Sequence, residues 1–352
     1  MSYKDNSAVI SDVHSIIEDL LLKFPDIHGS VIVAKQDQVL YHESFASPGN
    51  IKADKNAQHL IASVTKNFTS AAILKLLFTH FGYDISDALN KPLSDFLSED
   101  HPIWLEEMPD FAKVVTIHHL LSHTSGLDVI DKPLLYSPGG RYHYSNLGYI
   151  LIGHIIQALT PESIESYYKR ALFDPAGMQN TFLVVDGTPA SLQNDPAFIT
   201  LVPGFEKNGD QIQKISDKPD FSKKFTAGSI ISTPIDLVKW QHALYQGHII
   251  PLKLLQLMTH PVIQKTGFAF YDGEGSLHAG YGVDVLDDGR TKLYQHCGGT
   301  SGYQSKISYD PKTQISIINL SNIMEDNPSI FVFTNQLRNM ISSINDETEN
   351  AK

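Results

Sequence analysis

Ser63-Val64-Thr65-Lys66 sets a hydroxyl and an amine three residues apart. At the start of a helix that spacing puts both on one face, with Cβ atoms roughly 5–6 Å apart. A neutral lysine so placed can accept the serine proton and make the hydroxyl a nucleophile. Helix-start amides and the positive dipole end would also favour a nearby oxyanion. The pattern alone is weakly discriminating. Ser166-Tyr167-Tyr168-Lys169 repeats it within the helix expected after Pro161, where a solvated face is the simpler reading.

Tyr144-Ser145-Asn146 is the only Tyr-x-Asn among 15 tyrosines. A tyrosine fixed near cations can serve as a general base, and an asparagine amide can hold a substrate carbonyl. The competing reading is a loop tyrosine with Asn146 capping the next helix. The third candidate is His296-Cys297-Gly298-Gly299 on a β-rich run. Glycines in a strand allow close backbone approach to a ligand, and an exposed amide there can supply an oxyanion donor. Neighbouring strand residues point to opposite faces, so His296 and Cys297 do not form a dyad, and Cys297 reads as a buried structural thiol. As the sole cysteine it can form no intrachain disulfide.

These residues need elements to hold them. Ser7–Phe24 has apolar residues at helical spacing, and Ser63–Phe81 reads as a long, mostly apolar helix. Ser30–Ala34 and Val39–Phe45 suggest a hairpin. Thr233–Tyr245 and Ile330–Ile344 read as further helices. Short strands are expected at Tyr281–Leu286, Leu293–His296, Ser305–Tyr309 and Ile315–Leu320, with a turn at Asp287-Asp288-Gly289. Polar, lysine-rich Gly204–Lys224 reads as a mobile surface loop. Strands at both ends of the chain around a helical middle imply an α+β fold: an antiparallel sheet flanked by helices, with a mostly helical inserted lobe. The expected organisation is one catalytic unit over 1–345. Its α/β lobe comes from about 1–62 and 226–345, its helical lobe from about 63–225, and a disordered acidic tail covers 346–352.

Taken together, the three motifs resemble those of the serine β-lactamase and penicillin-binding-protein superfamily, in its class C-like branch. Leu120-Leu121-Ser122-His123-Thr124-Ser125-Gly126-Leu127 is similar to that family's signature loop. Ser137-Pro138-Gly139 and Ala227-Gly228-Ser229-Ile230-Ile231-Ser232-Thr233 also fit, in the family's order, from about Gly29 to Asn322. The resemblance implies Ser63 as nucleophile, with Lys66 and Tyr144 sharing the proton transfers. It implies Asn146 contacting the substrate amide or ester, His296 lining the opposite wall on an edge strand, and Gly298 and Gly299 beside the substrate. The amides of Ser63 and Gly299 would form the oxyanion hole, and no cofactor is implied. Many members carry lysine where this chain has His296. A histidine with a pKa near 6.5 is only about one-quarter charged at pH 7, so carboxylate recognition is expected to be weaker or pH-dependent.

The expected function is therefore a serine hydrolase that cleaves a small ester or peptide-like amide through a Ser63 acyl-enzyme. Alternatives are a D-amino-acid peptidase, D-Ala-D-Ala carboxypeptidase or β-lactamase, and, in another class, a catalytically silent scaffold on the same fold. The 352 residues carry 27 Lys plus Arg against 39 Asp plus Glu, a net charge of −12. That balance argues against a general nucleic-acid binder. The longest apolar segment, Gly148–Leu159, is shorter than the roughly 20 residues a membrane span needs. No signal-peptide core follows Met1, so a cytoplasmic protein is expected. His119 and His123 have the i, i+4 spacing of a zinc pair but lack the intervening glutamate of His-Glu-x-x-His, so no metal site is expected. Oligomeric state is left open by the sequence.

Overall fold

The computed structural model describes residues 6–25, 27–47, 51–52, 54–185, 201–209, 211–215, 221, 223–265, 276–287, 292–325 and 329–350. Its main feature is a nine-stranded sheet assembled from both ends of the chain. We number its strands β1 (Gly29–Lys35), β2 (Gln38–Ser47), β3 (Ile51–Lys52), β4 (Ile263–Gln264), β5 (Ser276–Ala279), β6 (Asp284–Asp287), β7 (Lys292–Thr300), β8 (Tyr303–Asp310) and β9 (Ile315–Ser321). Their spatial order is β3-β2-β1-β9-β8-β7-β6-β5-β4. The two ends of the chain meet where β1 pairs antiparallel with β9, from Ser30↔Leu320 to Lys35↔Ile315.

Val31-Ile32-Val33-Ala34 has no polar alternation because both faces of the sheet are covered. Val31 and Val33 meet Val13, Ile17 and Leu20 of helix α1 (Asn6–Lys23), together with Phe333 and Leu337 of helix α5 (Ser329–Asn350). Ile32 and Ala34 face the larger core, which contains helix α2 (Thr65–Phe81), helix α3 (Asn146–Leu159) and helix α4 (Pro234–Tyr245). From Thr65 to Leu77, α2 is buried except at half-buried Lys75. A helix that is mostly apolar around its circumference belongs at the centre of a fold. Stacking of Phe68 on Trp240, centroids 4.0 Å apart, ties α2 to α4.

Several expectations are revised. Ser63 does not open α2: it sits in a single 3₁₀ turn, Ala62–Val64, leading into the helix. The strand expected over Tyr281–Leu286 is instead β6 alone. Gly280 and Gly282 sit against backbone and side-chain atoms that leave no room for a Cβ, and a bend at Tyr281–Val283 precedes the strand. The Asp287-Asp288-Gly289 turn extends outside the described residues. Within the expected loop, Phe205–Asn208 and Gln211–Lys214 form a hairpin that pairs in parallel with Ile323–Met324. Its anchoring partner lies more than 100 residues away and gives no local signal. Helix α5 runs to Asn350, through most of the segment expected to be a disordered tail. No glycine or proline interrupts Ser329–Asn350, and each further residue adds one bond to an existing helix. No helix among the described residues is long and apolar enough to cross a membrane.

Candidate active site

Three segments far apart in sequence converge on Ser63. The turn that presents it is held by Ala62, whose φ of +46° is unusual for a residue with a Cβ. One turn later Lys66 points back, its Nζ 3.2 Å from Ser63 Oγ. Two further oxygens surround that amine, Asn146 Oδ1 at 2.8 Å and the Ala227 carbonyl at 2.6 Å. Both are carbonyl-type oxygens and can only accept, so each takes an N–H of Lys66. In a neutral amine the remaining lone pair is then directed at the serine hydroxyl. Lys66 is 0% exposed, and burial holds its ammonium well below the ordinary lysine value. Asn146 is the first residue of α3, but the cap is Ser145, whose hydroxyl accepts from Gly148 N–H. That leaves the Asn146 amide for Lys66.

Tyr144 completes the group. Its phenol lies under the influence of the Ser63 hydroxyl, and its ring lies 4.9 Å from Lys66 Nζ. Burial pushes the phenol above its usual value, an effect the neighbouring Ser63 hydroxyl partly offsets. His123 stacks on the Tyr144 ring, centroids 4.5 Å apart, and its Nδ1 accepts from Ser145 N–H. Burial, then the nearby Lys66, keep His123 well below its ordinary pKa. His119 instead accepts the Thr116 N–H at its Nδ1. The two histidines thus serve separate local structures. Ser166 and Lys169 are exposed, and Lys169 pairs with Asp174 at 2.6 Å.

The wall opposite is β7. This is not an edge strand: Lys292–Gln295 pair with β6 and Tyr294–Thr300 with β8. The stretch from His296 onward outruns β6, so only that half of the strand lies open toward the site. Gly298 faces the Ser63 turn so closely that a Cβ on it would lie 2.4 Å from the Ile61 carbonyl and 3.0 Å from the Ser63 amide nitrogen. On exposed Gly299 a Cβ would meet nothing nearer than Met324 Cε at 3.7 Å. Cys297 turns to the other face of the sheet, half-buried against the α1/α5 cluster.

His296 departs from the partial charge expected of it. Burial lowers its pKa to about 4; Lys265 and Lys66 add to that effect, while Asp284 opposes it. It is therefore neutral at pH 7 and supplies no cation. The nearby charges belong to residues that no motif marked. Lys265 Nζ lies 2.8 Å from both oxygens of Asp284, both side chains are nearly buried, and the lysine also sits 5.3 Å from the Tyr142 ring centroid. The two are 19 residues apart and lie on β6 and just after β4, so local sequence could not pair them. The Ala227 carbonyl was equally hidden, since a backbone oxygen leaves no residue-type signature.

A serine hydrogen-bonded to a buried lysine that faces a tyrosine ring, between an antiparallel sheet and a helical region, defines a penicillin-binding-protein-like site. A family model described as Beta-lactamase matches residues 18–332, and the chain belongs to that family. Protein flp of Staphylococcus aureus (strain MRSA252) is 25% identical over 340 residues, covering 88% of this chain; the chain spans 62% of that relative's length. Penicillin-binding protein 4* of Bacillus subtilis (strain 168) is 25% identical over 334 residues, covering 85% of this chain and 69% of its own. Among solved structures, the D-amino acid amidase of Ochrobactrum anthropi SV3 complexed with L-phenylalanine amide superposes with a TM-score of 0.75 at 21% identity. That match covers 97% of this chain and 99% of the amidase.

Proposed function

We propose that the protein is a serine hydrolase that forms an acyl-enzyme on Ser63. The observation that carries this reading is the Lys66 amine: buried, held to two carbonyl oxygens, and 3.2 Å from Ser63 Oγ. Lys66 takes the Ser63 proton as Oγ bonds to the substrate carbonyl carbon. The oxyanion that forms is met by the amides of Ser63 and Gly299. Tyr144 gives a proton to the leaving alcohol or amine as its bond to the acyl carbon breaks, and recovers one from the Lys66 ammonium. Water then attacks the acyl-enzyme by the reverse proton route and frees Ser63.

A neutral His296 favours esters and amides whose leaving group bears no carboxylate, in preference to D-Ala-D-Ala peptides or β-lactams. The amide chemistry named in the Ochrobactrum anthropi relative fits that preference. Intact-mass measurement after a fluorophosphonate probe tests the reading. One adduct is expected on wild type and on Ser166→Ala, and none on Ser63→Ala. An adduct that persists on Ser63→Ala, or none on folded wild type, would refute it.

A further inference from the structure

Two features of His123 are unfavourable in themselves. Its φ of +57° lies in the left-handed region. Its Nε2 is buried with no hydrogen-bond partner among the described residues, in a residue only 4% exposed. Because Nδ1 accepts the Ser145 N–H at 3.1 Å, the ring proton sits on that unpartnered Nε2. An apolar residue could fill the same space without burying an unsatisfied donor. Packing alone therefore does not account for a histidine here.

The contacts the ring does make converge on Tyr144. On one side of it, Ser145 N–H donates to Nδ1; on the other, His143 N–H donates to the His123 carbonyl at 2.8 Å. Tyr144 is thus held by its two neighbours, and its own ring lies on the imidazole with planes 28° apart. The same imidazole touches the Tyr149 ring, centroids 5.1 Å apart, and the Tyr149 hydroxyl donates to the Leu121 carbonyl at 2.8 Å. Both tyrosine rings flank Lys66, 4.9 and 5.6 Å from its Nζ. The two backbone anchors set where the Tyr144 side chain starts, and the stacked imidazole sets the plane of its ring.

We propose that His123 is a positioning residue for Tyr144, aiming the phenol at the leaving-group oxygen during acylation. This rests on the Ser63 hydrolase reading, in which Tyr144 protonates the departing alcohol or amine. Only the neutral ring can do it, since an imidazolium carries a proton on each nitrogen and cannot accept the Ser145 N–H.

The test compares kcat/KM for ethyl butyrate and p-nitrophenyl butyrate, which form the same butyryl-enzyme. Ethanol needs a proton to leave and p-nitrophenolate does not, so the ratio of the two reads leaving-group protonation. Tyr144→Phe should lower ethyl butyrate hydrolysis about 100-fold more than that of the p-nitrophenyl ester, the scale of one general acid. His123→Gly relieves the positive φ while removing the ring. It should shift the ratio by about as much, because a misplacement of about 1 Å costs on the order of 10²-fold. His123→Asn restores an acceptor and tolerates the left-handed backbone. Lacking the ring, it should retain a shift of about tenfold, the scale of one aromatic contact. Adding His123→Gly to Tyr144→Phe should move the ratio no further. If the glycine variant does not fold, the ratio in His123→Asn decides. A wild-type ratio in the folded His123 variants, or a further shift in the double variant, would overturn the proposal while Tyr144→Phe still separates the esters. Equal losses on both esters in Tyr144→Phe would overturn the role of Tyr144 itself. Failure of both esters to acylate Ser63 in wild type would overturn the hydrolase reading.

Discussion

Gly298→Ala tests whether β7 and the Ser63 turn form one rigid oxyanion site. A Cβ at 298 would stand 2.4 Å from the Ile61 carbonyl and 2.4 Å from Ser305 Oγ, against about 3.4 Å for ordinary contact. Ser305 cannot simply turn aside without cost, because its hydroxyl donates to that same Ile61 carbonyl at 2.7 Å. The obstacle on the other side is backbone, so the walls must part by about 3.4 − 2.4 = 1.0 Å. Overpacking of this kind costs about 1–3 kcal/mol of stability, which a chain of this size should tolerate. Catalysis should suffer more. A misplacement of about 1 Å costs on the order of 10²-fold, and loss of one oxyanion donor about 10²–10³-fold. Stopped-flow acylation with a p-nitrophenyl ester should therefore slow by about two orders of magnitude, at near-native circular dichroism. Gly299→Ala should lose less, since nothing nearer than Met324 Cε at 3.7 Å meets its Cβ. A Gly298→Ala enzyme acylating within about threefold of wild type would refute the clamp.

Three further predictions follow from burial and charge. With Lys66 held below its ordinary value by burial, kcat/KM should rise with pH as its ammonium loses a proton; His296→Gln should leave that limb in place, because His296 titrates near pH 4. Buried His59, its pKa also lowered to about 4, binds a proton in the unfolded chain from about pH 6.5 but in the native chain only near 4. The His59 contribution to stability is therefore full above about 6.5, falls by about 3 kcal/mol as pH drops to about 4, and changes no further below that; urea midpoints across this range should show a shallower fall in His59→Phe. Asp284→Asn should cost about 3–5 kcal/mol in urea unfolding by stranding buried Lys265, and Lys265→Met/Asp284→Asn should recover much of it.

The sheet was legible where side-chain type encodes burial. Ser30–Ala34 read as a strand and Ser63–Phe81 as a mostly apolar helix, and the structure buries Val31–Ala34 and most of α2. The meeting of Ser63, Lys66, Tyr144 and Asn146 was legible only through the order of motifs, since spacing alone left Ser166/Lys169 an equal match. What stayed hidden depends on contacts between distant segments. The hairpin of Phe205–Asn208 and Gln211–Lys214 is defined by pairing with Ile323–Met324, and the Lys265–Asp284 pair by β4 and β6 flanking β5 in the sheet. The charge of His296 was hidden for a related reason. A residue type carries a reference pKa, but the displacement to about 4 comes from surroundings that the fold assembles.

That displacement belongs to a wider pattern. Burial lowers Lys66 and raises Tyr144, so the same loss of solvent drives a lysine and a tyrosine toward their uncharged forms. His123 and His296 are pushed to neutrality in the same way. Burial thus disfavours charge around Ser63 at rest, and in the proposed mechanism charge develops there as Ser63 is deprotonated. When it does, Lys66 becomes an ammonium that already faces Asn146 Oδ1, the Ala227 carbonyl and the Tyr144 ring, while the oxyanion meets amides fixed by the Gly298 contact. Interactions that strengthen only as charge appears favour the transition state over the bound substrate. Low dielectric surroundings strengthen each of them. In the proposed mechanism, the burial that makes the Lys66 ammonium costly at rest is thus what favours a neutral base there for acylation.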